Sequence, residues 1–329
     1  MRRKGKTIAF IIFFNFRDMN SLPKSVQDIK EYFNATLFPH YDMEEIKNFC
    51  LLSLEKYLHI SRAELRLKSA MAIHEDVAKK FEQVVEELLT NKPIQYILGE
   101  TEFYGLKILV DENVLIPRQE TEELVDWIIQ EFKVPGLRFQ IGNSELRADI
   151  NRVQNFNILD IGTGSGCIAI ALKKNLMEAY MSALDISEGA LKIAKSNASL
   201  NGVDLKFIQQ NILTMNSPSS IDRAGEKYDI IVSNPPYIRQ SESSVMHKNV
   251  LDYEPHLALF VEDENPLLFY EAIANFANIY LKEKGKLYVE INEALGKDVV
   301  ELLTIKGFAE IVMKRDLNGK NRMVRAIKV

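Results

Sequence analysis

The sequence predicts an α/β protein: a mostly parallel sheet covered by helices, preceded by a small helical domain and ended by an antiparallel hairpin. From Phe156 onward, apolar segments with strand character alternate with amphipathic segments of helical periodicity. Residues 22–90 show only helical periodicity and contain no glycine. The last two strand-like segments, 308–314 and 322–328, are separated only by turn-forming residues, which indicates a hairpin.

Four regions are expected along the chain. Residues 1–20 form an N-terminal extension, residues 21–92 a helical domain, residues 93–118 a hairpin linker and residues 119–329 the main α/β domain. In the extension, basic residues precede a short apolar run as in a signal peptide, but no small-residue cleavage site follows. The alternatives are a genuine extension and a start site read too early, with Met19 as the working first residue.

Periodicity also places the individual elements. Strands are expected at 157–161, 179–184, 204–209, 228–233 and 285–291, and helices at 120–132, 166–175, 187–200, 266–282 and 295–304. Residues 95–115 are rich in β-branched and aromatic residues and are punctuated by Gly99 and Gly105, so we expect them to form the linking hairpin. Residues 134–155 lack periodicity and are expected to be a surface insertion.

Composition narrows the class of protein. Charged residues make up 26% of the 329 residues, and no segment is long and apolar enough to cross a bilayer. The net charge of -5 argues against duplex nucleic acid as a direct partner, because phosphate binding usually requires a basic surplus. Cys50 and Cys167 form neither a metal-ligand nor a disulfide pattern, so we expect no metal and a cytoplasmic protein.

A glycine-rich turn, Gly-Thr-Gly-Ser-Gly, follows the first strand of the main domain. Glycines let a ligand approach the main chain closely, and open parallel sheets bind ligands at the carboxyl ends of their strands. The G-x-G-x-G spacing differs from the dinucleotide motif G-x-G-x-x-G. An acidic residue before the turn suits a ligand with a cationic amino-acid end, such as S-adenosylmethionine. The candidate cofactor ligands here are Asp160, Gly162, Thr163, Gly164, Ser165 and Gly166.

Two later strand ends extend this candidate site. Asp185 ends the second strand, where a carboxylate accepts hydrogen bonds from both hydroxyls of a ribose, although a helix-capping aspartate has the same position. Asn211 and Ile212 follow the third strand and are placed to flank an adenine, although asparagine is common after any strand.

The fourth strand runs into the motif Asn234-Pro235-Pro236-Tyr237. The prolines fix the backbone and lack N–H donors, which leaves carbonyl groups able to accept hydrogen bonds from a substrate. The side-chain carbonyl of Asn234 is a further acceptor. Two acceptors would orient a planar NH2 group, whose delocalised lone pair makes it a poor nucleophile, and would stabilise positive charge developing on its nitrogen. Tyr237 offers such a group a flat face.

These residues resemble those of the release factor glutamine methyltransferases. An N-P-P-Y motif is shared by methyltransferases that act on planar nitrogens in nucleic acid or protein. The stretches 93–99, 103–105 and 115–122 look like the linker of this family, and Tyr-Glu-Pro at 253–255 matches it as well. The resemblance covers the chain from about residue 22 to the end, and its motifs occur in the family's order.

The resemblance implies a Rossmann-like class I methyltransferase sheet and a defined reaction. A methyl group would pass from S-adenosylmethionine, leaving S-adenosylhomocysteine, to the side-chain amide of a glutamine in the Gly-Gly-Gln motif of peptide chain release factors. Asn234 and the Pro235 carbonyl would hold the amide, and Phe103 and Tyr237 would wall the pocket. The implied catalytic residues are Asn234, Pro235 and Tyr237, and the implied substrate-binding residues are Asn234, Pro235, Pro236, Tyr237, Phe103 and Arg118. The helical domain would recognise the protein substrate, and a monomer is expected.

Three other functions stay open at this point. A sister enzyme that methylates a glutamine of a ribosomal protein would carry nearly the same motifs. A nucleic-acid amino methyltransferase shares the N-P-P-Y chemistry, but the acidic net charge and the helical front domain argue against it. A non-catalytic binding module that keeps the fold is the third, and the intact glycine and N-P-P-Y motifs argue against it.

Overall fold

The chain divides after Leu98 into two units, and each unit has its own hydrophobic core. The computed structural model describes residues 22–133, 139–141, 144–146, 156–215 and 227–329. The expected N-terminal extension, residues 1–20, lies outside the described residues.

Helices α1 (Val26–Leu37), α2 (Met43–Leu58) and α3 (Glu75–Leu89) form the first unit. The side chain of Ser25 accepts a hydrogen bond from the Asp28 N–H at the start of α1, which satisfies one of the free donors of a helix N-terminus. Each helix buries one stripe, and the shared core includes Phe33, Leu54 and Phe81. The predicted helices and their packing role are confirmed.

The connection between the units differs from the prediction. Residues Ile94–Leu98 form a short helix, α4, and only β1 (Glu100–Phe103) and β2 (Leu106–Leu109) form the antiparallel hairpin expected over the whole segment 95–115. Proline at position 93 is compatible with the first turn of a helix, and Ile94 and Leu98, four residues apart, both enter the core of the first unit. Burial at helical spacing therefore outweighs β propensity here.

The described residues of the second unit form a seven-stranded sheet. Two short pairs are separate from this sheet: β3 (Phe139–Ile141) with β4 (Ser144–Leu146), and β9 (Ile238–Arg239) with β10 (Phe260–Val261). The seven strands of the sheet are β5 (Phe156–Ile161), β6 (Ala179–Asp185), β7 (Lys206–Gln209), β8 (Tyr228–Ser233), β11 (Leu281–Glu290), β12 (Phe308–Arg315) and β13 (Asn321–Lys328). The sheet order is β12-β13-β11-β8-β5-β6-β7. All neighbours are parallel except β13, which is antiparallel to β11 and β12. The predicted parallel sheet with a C-terminal antiparallel hairpin is confirmed.

Helices cover this sheet on both faces. Five of the described helices cover it: α5 (Gln119–Lys133), α6 (Cys167–Asn175), α7 (Glu188–Leu200), α10 (Leu268–Tyr280) and α11 (Gly296–Ile305). Two short helices, α8 (Lys248–Tyr253) and α9 (His256–Leu259), lie between β9 and β10 in the chain. In β5, Leu159 and Ile161 join the core formed with α10 and α11, and the alternating Ile158 and Asp160 are buried as well. Burial on both faces explains why the second half of β5, Ile158–Ile161, is apolar apart from Asp160.

Four boundaries differ from the predicted ones by two residues or more, and two of them belong to the helix expected at 266–282, which spans Leu268–Tyr280. The strand expected at 204–209 begins at Lys206, and the strand expected at 285–291 begins at Leu281. Of the expected insertion 134–155, only β3 and β4 are described, and they pair as a small antiparallel hairpin. Within the described ranges, no helix combines the length and apolar character needed to span a membrane.

Candidate active site

A cavity of about 220 Å³ lies where β5, β6, β7 and β8 end. Parallel neighbours present their carboxyl ends at one edge of a sheet, so the turns after these four strands meet there. The walls include Gly162 to Ser165 after β5, Leu184 to Ser187 after β6, Gln210 to Leu213 after β7, Ser233 to Pro236 after β8, and Val114, Pro117, Arg118 and Thr121 from the segment before and at the start of α5.

The glycine turn presents main-chain atoms to the cavity. Gly162 and Gly164 have φ values of 71° and 53°, in the left-handed region that L side chains rarely adopt, and a Cβ at either position would meet only open space. The N–H groups of Gly162 and Thr163 donate to the Leu184 carbonyl at 2.8 and 2.9 Å, which ties the turn to β6. Gly166 does not line the cavity and instead precedes α6.

Asp160 is not at the cavity mouth, where the sequence placed it. The side chain is fully buried beneath the glycine turn, and its Oδ2 accepts a hydrogen bond from the Thr163 hydroxyl at 2.6 Å. Its Oδ1 is buried and has no hydrogen-bond partner among the described residues. Burial raises the pKa of Asp160 to about 7; the Thr163 hydrogen bond opposes this rise and the nearby Asp185 adds to it.

Asp185 lines the cavity and is fixed at both oxygens. Its Oδ2 accepts from the Gly164 N–H at 2.8 Å and its Oδ1 from the Ser187 N–H at 2.9 Å. Burial raises the pKa of Asp185, and these backbone hydrogen bonds oppose the rise. Each carboxylate oxygen has two acceptor positions, and these two bonds occupy one position on each.

Asn211 and Ile212 also lie on the cavity wall. The Asn211 side chain accepts from the Leu213 N–H at 2.9 Å and so caps a short 3-10 helix, Ile212–Thr214. Ile212 is half-buried and packs against the sheet core, where it forms an apolar wall together with Ile273 of α10. The cavity therefore has a polar floor at the glycine turn and an apolar side beyond it.

The N-P-P-Y motif divides between the cavity and the core. Asn234, Pro235 and Pro236 line the cavity, and the Asn234 Nδ2 donates to the Thr121 hydroxyl at 3.1 Å. Among the described residues, neither Asn234 Oδ1 nor the Pro235 carbonyl accepts a hydrogen bond. Tyr237 does not line the cavity: its hydroxyl donates to Glu290 Oε1 at 3.0 Å, and its ring packs against the sheet core.

Phe103 and Arg118 are placed differently from each other. Phe103 is buried at the end of β1 and is not part of the cavity wall, because the hairpin turns its side chain inward. Arg118 lines the cavity, but its Nη2 is paired with Glu254 Oε1 at 2.5 Å. Glu254 is buried and also accepts from the Ile116 N–H at 3.2 Å. The Arg118 charge is thus already compensated within the protein.

Three functional candidates were not singled out from the sequence: Thr121, Glu290 and Glu254. Thr121 lies within the 115–122 stretch, and Glu254 within the Tyr-Glu-Pro triplet, so both were near a motif without a role. A signal for Glu290 was present in the sequence, because an acidic residue ends an apolar strand there. That strand lies next to the strand that runs into the N-P-P-Y motif. A buried carboxylate at that edge requires partners, which here are Thr121 and Tyr237.

Comparison with known proteins shows the family of this chain. Residues 139–258 match a family model described as methyltransferase small domain, and residues 46–99 match the PrmC N-terminal domain. The release factor glutamine methyltransferase of Flavobacterium psychrophilum is 45% identical over 300 residues, which is 91% of this chain and 98% of the relative. That of Bacteroides thetaiotaomicron is 38% identical over 91% of this chain and 98% of the relative, and that of Streptococcus pneumoniae is 40% identical over 88% and 96%. This chain belongs to the release factor glutamine methyltransferase family.

Proposed function

We propose that this protein transfers a methyl group from S-adenosylmethionine to the side-chain amide nitrogen of the glutamine in the Gly-Gly-Gln motif of peptide chain release factors. The observation that carries the proposal is a pair of acceptors at the cavity, Asn234 Oδ1 and the Pro235 carbonyl, which accept no hydrogen bond from the described residues, within a family whose relatives are named for this activity. A primary amide has two N–H donors, which two acceptors can match.

The cavity residues fit the cofactor. The free acceptor positions of Asp185 suit the two ribose hydroxyls, and the open main chain at Gly162 and Gly164 admits the amino-acid end. Ile212 and Ile273 provide apolar surface for the adenine. When bound, S-adenosylmethionine supplies an electrophilic methyl group carried on a positively charged sulfur.

The protein's own contribution to the reaction is orientation and electrostatics. Asn234 and Pro235 would accept the two amide hydrogens and so direct the nitrogen lone pair out of the amide plane. As positive charge develops on that nitrogen, both hydrogen bonds strengthen, which lowers the barrier more than it stabilises the bound substrate. Pro235 and Pro236 offer no N–H donor that could compete for the carbonyls.

The remaining parts of the proposal concern partners and location. We assign recognition of the release factor to the helical unit, which has its own core and lies outside the fold that holds the cofactor. We also propose a cytoplasmic, monomeric enzyme that does not bind nucleic acid directly; the two buried free cysteines fit a reducing compartment.

Asn234→Ala tests the proposal. We expect kcat for release factor methylation to fall at least about a hundredfold, since the lost acceptor acts mainly in the transition state. The assay compares intact release factor, ribosomal protein, DNA and RNA, with mass spectrometry to locate the added methyl group. Asn278→Ala is the matched control, because Asn278 donates to the Lys306 carbonyl at 2.8 Å away from the cavity. An unchanged rate for Asn234→Ala, or methylation of another substrate instead, would overturn the proposal.

A further inference from the structure

We propose that Thr121 and Glu290 are positioning residues that fix the orientation of the Asn234 amide, so that its oxygen and not its nitrogen faces the substrate. This inference rests on the proposed function, because it concerns how that acceptor is held. Both residues lie far from the N-P-P-Y motif in the sequence: Thr121 is in the first turn of α5, and Glu290 ends β11.

A continuous chain of hydrogen bonds joins these residues. The Asn234 Nδ2 donates to Thr121 Oγ1 at 3.1 Å, and the Thr121 hydroxyl donates to Glu290 Oε2 at 2.7 Å. The other carboxylate oxygen accepts from the Tyr237 hydroxyl at 3.0 Å. Thr121 is 2% exposed and Glu290 1% exposed, so water does not compete for these contacts. We call this set the relay.

The relay has a direction. When it is ionised, Glu290 only accepts hydrogen bonds, and it then takes up the single hydrogen of the Thr121 hydroxyl. What remains on Thr121 Oγ1 is lone pairs, and these can pair only with a donor. Of the two ends of the Asn234 amide, only the NH2 group is a donor, so it turns toward Thr121 and the oxygen turns to the cavity. Without the relay, the two orientations of the amide would compete.

The groups around Glu290 shift the pKa of its carboxyl group in opposite directions. Burial, the largest influence, raises the pKa of Glu290, and the charge of Glu120 adds to the rise. Hydrogen bonds from Thr121 and Tyr237 and the positive charge of Arg322 oppose it. The carboxylate therefore depends on the same hydrogen bonds that give the relay its direction, and removing Thr121 weakens both.

The test begins with Thr121→Val, which removes the hydroxyl and keeps the shape, and with Thr121→Ser, which keeps the hydroxyl. With intact release factor, we expect Thr121→Val to lower kcat at least about tenfold, with cofactor Kd by calorimetry within about twofold of the wild type. Thr121→Ser should restore most of kcat. A wild-type kcat for Thr121→Val, an equal loss in cofactor affinity, or no rescue by serine would overturn the inference.

Glu290→Gln is the second variant, in case the valine substitution prevents folding. A glutamine side chain carries a donor, so the direction of the relay is no longer enforced, and kcat should fall while cofactor Kd is kept. Glu131→Gln is the matched control: Glu131 is a largely buried carboxylate on α5 held by Lys286, Tyr288 and Arg325, outside the cavity. It should lose stability without losing kcat. A wild-type kcat for Glu290→Gln would contradict the relay.

Combination with Asn234→Ala separates the relay from the proposed function. If Thr121 acts only through Asn234, adding Thr121→Val to Asn234→Ala should cause less than about a twofold further loss. Full, independent losses in the double variant would overturn the inference. If Asn234→Ala alone keeps the wild-type rate, the proposed function is wrong. If Asn234→Ala is inactive while Thr121→Val and Glu290→Gln keep the wild-type rate, only the inference about the relay is wrong.

Discussion

Asp160 and Asp185 lie at or next to the ends of neighbouring strands of one sheet, but their carboxyl groups have different surroundings. Asp185 faces the cavity with both oxygens held by backbone N–H groups. Asp160 lies beneath the turn, with one oxygen on Thr163 and the other without a partner in the described part of the chain. We therefore propose Asp185 as the acceptor for a neutral polar ligand group, whereas Asp160 holds the turn through the Thr163 hydroxyl.

Replacement of Asp185 should weaken cofactor binding. Asp185→Ala removes charge-assisted hydrogen bonds to the ribose hydroxyls, and we expect a loss of roughly 1–3 kcal/mol. Calorimetry with S-adenosylmethionine measures this directly. Asp204→Ala is the control, because Asp204 is exposed and does not line the cavity. Unchanged cofactor affinity in Asp185→Ala would remove this residue from the site.

Asp160 should make the ligand-free protein less stable as pH rises. Its folded-state pKa of about 7 lies above the ordinary 3.8, so the folded state favours the protonated form. The resulting stability is fully present below about pH 4 and is lost as pH rises through about 7, by an amount on the order of 4 kcal/mol. Asp160→Asn cannot titrate. Between pH 5 and 8, urea denaturation should therefore show a smaller fall for this variant than for the wild type, and equal falls would contradict the assignment.

At the scale of single elements, periodicity was sufficient to predict the structure where burial alone decides it. The parallel strands are buried runs between turns, and their ends placed the glycine turn, Asp185 and Asn234 at one edge. It was insufficient where side-chain direction depends on distant partners. The Tyr237 side chain turns into the core because its hydroxyl donates a hydrogen bond to Glu290, which lies on β11, distant in the sequence. No local pattern contains that information, and the same applies to Phe103.

The ion pair of Arg118 and Glu254 ties the segment that carries α8 and α9 to the residues just before α5. It is asymmetric: the Glu254 side chain is 1% exposed and that of Arg118 35%. Among the described residues, Arg118→Ala leaves the buried Glu254 carboxylate with the Ile116 N–H as its one hydrogen-bond donor, whereas Glu254→Gln leaves an arginine that can reach water. We expect Arg118→Ala to lower the free energy of unfolding by about 1–3 kcal/mol and Glu254→Gln by less. Chemical denaturation decides this, and the reverse ranking would refute it.

At the scale of the whole molecule, the sequence predicted two bodies of different character, and the structure divides the chain after Leu98. The predicted boundary, between residues 92 and 93, lies before the observed one because Pro93 in the sequence indicates the start of the linker. Ile94 and Leu98 nevertheless complete the core of the helical unit. A cut at residue 93 would therefore expose apolar side chains, and a fragment of the second unit should begin at Gly99.

The fragment 99–329 tests the division of labour between the units. It keeps the seven-stranded sheet, the cavity and the relay, so we expect it to bind S-adenosylmethionine within a few-fold of the full chain, as measured by calorimetry. It lacks the helical unit proposed to recognise the release factor, so its kcat/KM for intact release factor should fall at least about a hundredfold. A short peptide containing Gly-Gly-Gln is the control substrate, because it cannot use a distant docking surface: the fragment and the full chain should methylate it at similar, low rates. Wild-type activity of the fragment on intact release factor would show that the second unit alone recognises the protein, whereas loss of cofactor binding would show that the units depend on each other to fold.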